Sequence, residues 1–427
     1  MTNLLEKART AAQQQDWASL SRYLQQAILG EPAAASSPTI PDFLPFVIAV
    51  LESGGFQDRW DVAKVLPQFG EGAIAPLVSL VQDPDQDLEA RWFAARALGN
   101  WEHPLAIQAL ALVITADRDD DLSQMAATAL SMIGPAAIPA LCPLLAQPTT
   151  CLVAAQALAQ IDHPDAVPAL ISVADSADPL VRQVAIDALA LFQDDRVPEI
   201  QVGALTDPVA SVRRVAVAGL SRRAGQLPPS QLADLLADLL WDINLEVCHQ
   251  AAIGLSRVGD PAIEPLMRVL QSALSPVSLQ LEAVRSLGWI GSAAALEQLA
   301  PGLHQPELPP SVRQEIVAVL GRWSEPTLKP VATQALVQFL QSHGFTAQEI
   351  PLQQTIALSL GQLGHPAALQ PLIQLLAVEE MGVRLHAIAA LKQLNRVEAH
   401  DQLMSLSSQA TLPPALGQGI AIALQEW

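Results

Sequence analysis

Apolar residues along this chain recur at helical spacing, and the whole pattern then repeats. The segments VRQVAIDALALF (181–192), VRRVAVAGLSRR (212–223), VRQEIVAVLGRW (312–323) and VRLHAIAALKQL (383–394) place Arg, a small residue and Leu in one frame. Anchored on that leucine, the series runs Leu66, Leu98, Leu130, Leu158, Leu189, Leu220, Leu255, Leu287, Leu320, Leu360 and Leu391. Most steps are 31–33 residues, with a step of 28 before Leu158, 35 before Leu255 and 40 before Leu360. A fixed period of this length marks a repeat architecture. Each unit predicts an apolar helix such as AVPALISVA (166–174), a turn such as DSADP (175–179), and a second helix ending near Gly or a polar loop. Asp-Pro pairs at 83–84, 178–179, 207–208 and 260–261 suit helix starts, because Pro fits the first turn and pushes the preceding residue out of the helical region. Strand-like alternation is absent. The expected fold class is all-α, an α-solenoid of about eleven helix-turn-helix units.

The ends depart from the period, as capping segments do. The expected layout is an N-terminal helical cap and linker at 1–54, the repeats at 55–395, and a C-terminal helical cap at 396–427. Residues 4–29 read as a helical hairpin with Asp16 as N-cap of its second helix. EPAAASSPTIP (31–41) reads as a linker, and helices are expected near 397–407 and 413–426. The long step before Leu360 places an insertion near 341–351, and LHQPELPPS (303–311) is a second Pro-rich loop. Both read as length variation between helices.

Composition narrows the class. The chain is 427 residues long, 51% hydrophobic and 15% charged, which excludes wholesale disorder. A mean hydropathy of +0.29 raises the question of a membrane, but no run of about 18 apolar residues exists. Ala-Ala pairs at 94–95, 126–127, 154–155, 251–252 and 389–390 precede the anchors, so the hydrophobic excess fits small residues at tight helix crossings. The formal charge of −20 excludes duplex nucleic acid and anionic lipid as partners, since both are bound through Lys and Arg. The start of the chain lacks the apolar core of a secretory signal, and three cysteines imply no disulfide framework, so a cytoplasmic location is expected.

Catalytic chemistry is hard to find. The eight histidines are scattered, and those at 103, 163 and 365 share one loop slot before Pro, which reads as turn chemistry. No zinc-spaced pair, phosphate-binding Gly loop or nucleophile elbow occurs. Cys142 and Cys151 read as small hydrophobes beside Ala, and DRDDD (117–121) as a solvated turn. No catalytic residue, metal site or cofactor is assigned.

The pattern D-x-x-x-VR-x-x-A-x-x-AL resembles the HEAT repeat, and its short, Ala-rich form is similar to the HEAT-like repeats of phycobilisome lyase-type proteins of cyanobacteria. LEARWFAARALGNW (88–101) carries the resemblance most closely. The resemblance implies that the helix beginning at the VR position lines the concave surface. Seven residues before the anchor stand Arg59, Arg91, Arg182, Arg213, Arg313 and Arg384, which read as structural, with Arg59 and Arg91 in an internal hydrogen-bond ladder to turn Asp residues. Six and two residues before the anchor point away from the core. These slots hold Trp60 with Lys64, Trp92 with Arg96, and further along Arg214 and His249, which together form the candidate partner-binding set. Trp and Arg are the types most enriched at binding hot spots. For Trp60 and Trp92 a core role stays equally open. Trp101, Trp289 and Trp323 are expected to plug gaps between units, and Trp241 is ambiguous.

Three functions are compatible with these features. The first is a non-catalytic protein–protein interaction scaffold or adaptor. For it the resemblance implies a partner such as a phycobiliprotein or an A-type iron–sulfur carrier protein. The second is a phycobilin lyase or isomerase, or one subunit of one, with Arg91 and Arg96 meeting bilin propionates. The third is a phycobilisome disassembly factor. A bound bilin or iron–sulfur cluster would accompany only some of these.

Overall fold

The computed structural model describes residues 2–29, 40–116, 119–346, 349–409 and 412–427. Among them every regular element is helical and no strand occurs. The linker at 31–41 and the Arg118 end of DRDDD lie mostly outside the described residues. The chain divides into two compact units, Met1–Ile200 and Gln201–Trp427.

The first unit opens with the hairpin Thr2–Gln13 and Trp17–Leu29, where the Ser19 N–H donates to Asp16 Oδ1 at 3.1 Å. Helical pairs follow. The anchor-bearing helices Leu88–Leu98, Asp120–Ile133, Cys151–Gln160 and Pro179–Leu189 pack each on the next, and the preceding helices Ile74–Gln82 and Pro104–Ala116 form a second layer. The second unit repeats the arrangement through Ala210–Arg222, Leu245–Leu255, Val277–Ile290, Pro310–Gly321, Ile350–Leu363 and Met381–Ser407, again with consecutive contacts. Each unit is therefore an α-solenoid stack. Met381–Ser407 is broken at Asn395, whose φ of −159° and ψ of 98° leave the helical region, and Pro414–Gln425 closes the chain.

Periodicity explains the stack. All eleven anchor leucines are fully buried. So are all eleven residues four positions earlier: Val62, Ala94, Ala126, Ala154, Ala185, Ala216, Ala251, Ala283, Ile316, Ile356 and Ala387. Positions i and i+4 share one helix face, and full burial of each leucine contributes about 1.5–3 kcal/mol. Most of the second set is Ala, a small residue with high helix propensity. Turn polar groups set the helix starts. Asp178 accepts from the Leu180 N–H at 2.8 Å and Asp207 from the Val209 N–H at 2.8 Å. Asp119 accepts from the Leu122 N–H at 2.9 Å. His103, His163 and His365 each accept at Nδ1 from the backbone N–H two residues on, at 3.2–3.3 Å, so one ring nitrogen does the work of a capping oxygen in three separate turns.

Candidate functional site

The position seven before the anchor is a donor slot aimed backwards into the preceding turn. Arg182 donates to the Ser176 carbonyl at 2.8 Å, Arg213 to Asp207 at 2.7 Å and Arg384 to Val378 at 2.6 Å, each six residues earlier. Arg59 donates to the Glu52 carbonyl at 3.0 Å and Arg91 to Val81 at 3.0 Å. Where Arg is missing, Gln280 donates to the Leu270 carbonyl at 3.1 Å and Cys248 Sγ lies 3.1 Å from the Asp242 carbonyl. Three arginines also reach the next unit's turn: Arg59 pairs with Asp87 at 2.6 Å and with Glu89, Arg213 with Asp242, and Arg313 with Glu349 at 3.2 Å.

The positions six and two before the anchor form accessible rows, none of whose members is buried. In the first unit they converge. The Arg96 guanidinium carbon lies 4.2 Å over the Trp60 ring centroid and 5.9 Å from that of Trp92. Phe56 stacks near Trp60 at 6.3 Å, and Phe93 meets Phe56, Trp60 and Trp92 edge-on at 5.5, 6.5 and 5.2 Å. Trp60 and Trp92 are half-buried: each packs against the core and keeps part of its surface exposed. Trp60, Ala63, Lys64, Pro67, Arg96, Ala97, Asn100 and Met132 line a cleft of about 200 Å³. Lys64 is tied to Asp61 at 2.9 Å. The Gln57 amide, then that ammonium, hold the Asp61 carboxyl below the usual carboxylate range. Arg96 pairs with no carboxylate among the described residues; its partners are the two indoles.

Sequence reading missed Phe56, Phe93 and Met132 as parts of this site. The signal was the i,i+4 spacing of Phe56 and Trp60, which puts both rings on one helix face. Arg214 and His249 do not join the cluster. They belong to the second unit, on Ala210–Arg222 and Leu245–Leu255, Arg214 exposed and His249 half-buried. One expectation fails: Trp289 is 81% exposed and plugs no gap, whereas Trp323 is 4% exposed and Trp101 half-buried. Trp289 stands two residues after its anchor, about 200° around the helix, while Trp323 stands three after, back near the buried face. Trp241 is half exposed.

Other candidate chemistry stays quiet. Cys151 packs among Ala155, Val173, Val181 and Ala185, and burial pushes its thiol up, whereas Cys142 is exposed and is not the packed small hydrophobe expected. No group of three metal-ligating side chains gathers among the described residues, and no described helix is long and apolar enough to cross a membrane. A second cleft of about 460 Å³, lined by Glu102, Pro104, Ile107, Gln108, Ala111, Ala136, Pro139 and Ala140, contains no cation.

Comparison with known proteins finds repeats of the HEAT kind along the chain. A HEAT-repeat family model matches residues 44–131, 74–153 and 138–221, and the PBS lyase HEAT-like repeat model matches 247–272 and 352–377. No curated protein matches the sequence. Among solved structures, importin beta is similar over 99% of this chain and 70% of its own, with 13% identity and a TM-score of 0.56. Kap121p is similar over 94% of this chain and 52% of its own, with 13% identity and a TM-score of 0.54. The chain thus spans about half the length of Kap121p. At such identity both likenesses speak to the fold alone.

Proposed function

Because this chain belongs to the HEAT-repeat proteins, with repeats of the PBS lyase HEAT-like kind, we propose that it is a non-catalytic scaffold or adaptor that docks a protein partner on its anchor-helix face. The observation that carries this reading is the half-exposed Trp60–Arg96–Trp92 stack beside an open cleft, in a chain of net charge −20. Trp and Arg anchors that stay partly exposed in the free protein are what hot spots require. Arg59, Arg91, Arg182, Arg213, Arg313 and Arg384 are spent on holding turns, which leaves Trp60, Lys64, Trp92 and Arg96 as the docking set, with Arg214 and His249 as further contacts on the second unit. The partner proposed is a protein of phycobilisome or iron–sulfur metabolism in a cytoplasmic setting. The test is affinity capture from lysate with the wild type and with Trp92→Ala combined with Arg96→Glu. The double variant is expected to keep its helix content and lose the partner; capture at wild-type strength overturns the patch.

The PBS lyase-like repeats favour a second reading, a phycobilin lyase or isomerase or its subunit. Two observations weigh against it. The cleft beside Arg96 is below the roughly 300–1,000 Å³ of ordinary small-molecule pockets. The larger cleft offers Glu102 but no cation to a propionate. Mixing the purified chain with free bilin and an apo-phycobiliprotein decides: a shifted visible spectrum with pigment transfer supports the lyase, and neither effect removes it. Capture of phycobilisome subunits without pigment transfer would instead support a disassembly factor.

A further inference from the structure

The chemistry of the docked group follows from how Arg96 is held. A guanidinium has two faces and an edge, and all five N–H donors lie in its plane. The Arg96 guanidinium carbon lies over the Trp60 ring, 4.2 Å from its centroid, and 5.9 Å from that of Trp92. A cation–π contact of this kind holds the guanidinium in place without an oxygen acceptor. No acceptor takes those donors among the described residues, in contrast to the ladder arginines, each of which donates to a carbonyl or carboxylate. Arg96 is therefore held by two indoles with no oxygen acceptor yet engaged, and its planar fork matches a carboxylate through two parallel bonds.

The cleft around it is amphipathic. Lys64, paired with Asp61, and Asn100, whose amide donates to the Ala97 carbonyl at 2.8 Å, give the cleft a polar side, while Ala63, Pro67, Ala97 and Met132 supply apolar surface. A volume of about 200 Å³ holds a side chain or two. Nucleic acid phosphate is a poor match, since the surrounding chain carries a net charge of −20 and the cationic region is one cleft wide. An isolated acidic side chain needs only this local cation.

We propose that the cleft recognises a carboxylate of an Asp or Glu side chain on a partner protein segment, clamped by Arg96, with an adjacent apolar side chain of that segment seated against Met132 and Pro67. This rests on the docking reading above and specifies its ligand class. Random linear peptides displayed on phage and selected on the full chain test it, with helix content monitored by circular dichroism for each variant. The selected peptides are expected to share an Asp or Glu next to an apolar residue. Binding should fall about tenfold when that acid becomes its amide, and by a similar factor with Arg96→Gln, the loss of a charge-assisted bond. Arg96→Lys should recover only part of it. Selected peptides that bind Arg96→Gln at wild-type strength yet are lost with Trp60→Ala overturn the carboxylate and leave docking at the cleft standing. Selected peptides insensitive to both substitutions overturn both readings.

Discussion

Arg213 grips Asp242 through two parallel hydrogen bonds of 2.7 Å, joining residues 29 apart in sequence. The same guanidinium donates to the Asp207 carbonyl in its own turn, also at 2.7 Å, so one side chain fastens two successive turns together. Asp242 passes the order on, accepting from the Asn244 N–H at 2.7 Å. Both members are buried, with side chains 10% and 7% exposed.

Breaking a buried pair from one side leaves the other charge stranded, at a cost of about 3–5 kcal/mol. Arg213→Ala is accordingly expected to destabilise the second unit by about that much. Hydrogen exchange should show the loss first at the turn around Asp242 and the start of Leu245–Leu255. Arg213→Lys should recover little, because a point charge cannot make the double contact. Unchanged protection at 242–248 would contradict this role.

Close helix crossings make small residues obligatory. A Cβ on Gly321 would lie 2.4 Å from Ser359 Cβ and 2.7 Å from its Cα, a clash with backbone on the facing helix. Ser359 cannot retreat easily, since its hydroxyl donates to the Val317 carbonyl at 3.1 Å. Gly321→Ala is expected to cost about 1–3 kcal/mol through overpacking, read as a lower unfolding midpoint in urea. A midpoint at or above the wild-type value would show that the crossing has slack.

The tryptophans after the anchors should behave oppositely. Trp289→Ser removes an 81% exposed ring and is expected to change stability by no more than about 0.5 kcal/mol. Trp323→Ala empties a buried site and should cost about 3–5 kcal/mol. Paired denaturation curves check this, and equal effects would overturn the assignment.

The insertion before Leu360 is held by Glu349. Its carboxylate pairs with Arg313 at 3.2 Å and His343 at 3.1 Å, and accepts from the Thr346 N–H at 3.2 Å and the Thr346 hydroxyl at 3.1 Å. Burial pushes this carboxyl up, but the Thr346 N–H, His343 and the Thr346 hydroxyl together outweigh it and hold the group at about 2, below its ordinary 4.5. A depressed folded value stabilises the loop fully above the ordinary value and loses that contribution as pH falls through about 2. The Glu349 contacts should therefore persist through pH 4 and release only near pH 2, followed by hydrogen exchange at 343–346 and 349–352. Glu349→Gln should loosen the loop at neutral pH and abolish its acid step.

Much of this molecule was legible in one dimension. A repeat of about 32 residues, combined with the 3.6-residue turn of a helix, dictates which leucines and alanines face inward, because burial of one face is a local consequence of spacing. The backward-aimed donor slot and the histidine caps are likewise short-range. What spacing could not decide was whether Trp60 and Trp92 were core or surface, since half-burial depends on how closely neighbouring helices approach. Nor could it bring Arg96 over Trp60 from a different helix, or show that Lys64 pairs with Asp61 while Arg96 meets only the two indoles. Those are relations between side chains of successive helices, fixed by the crossing geometry of the stack.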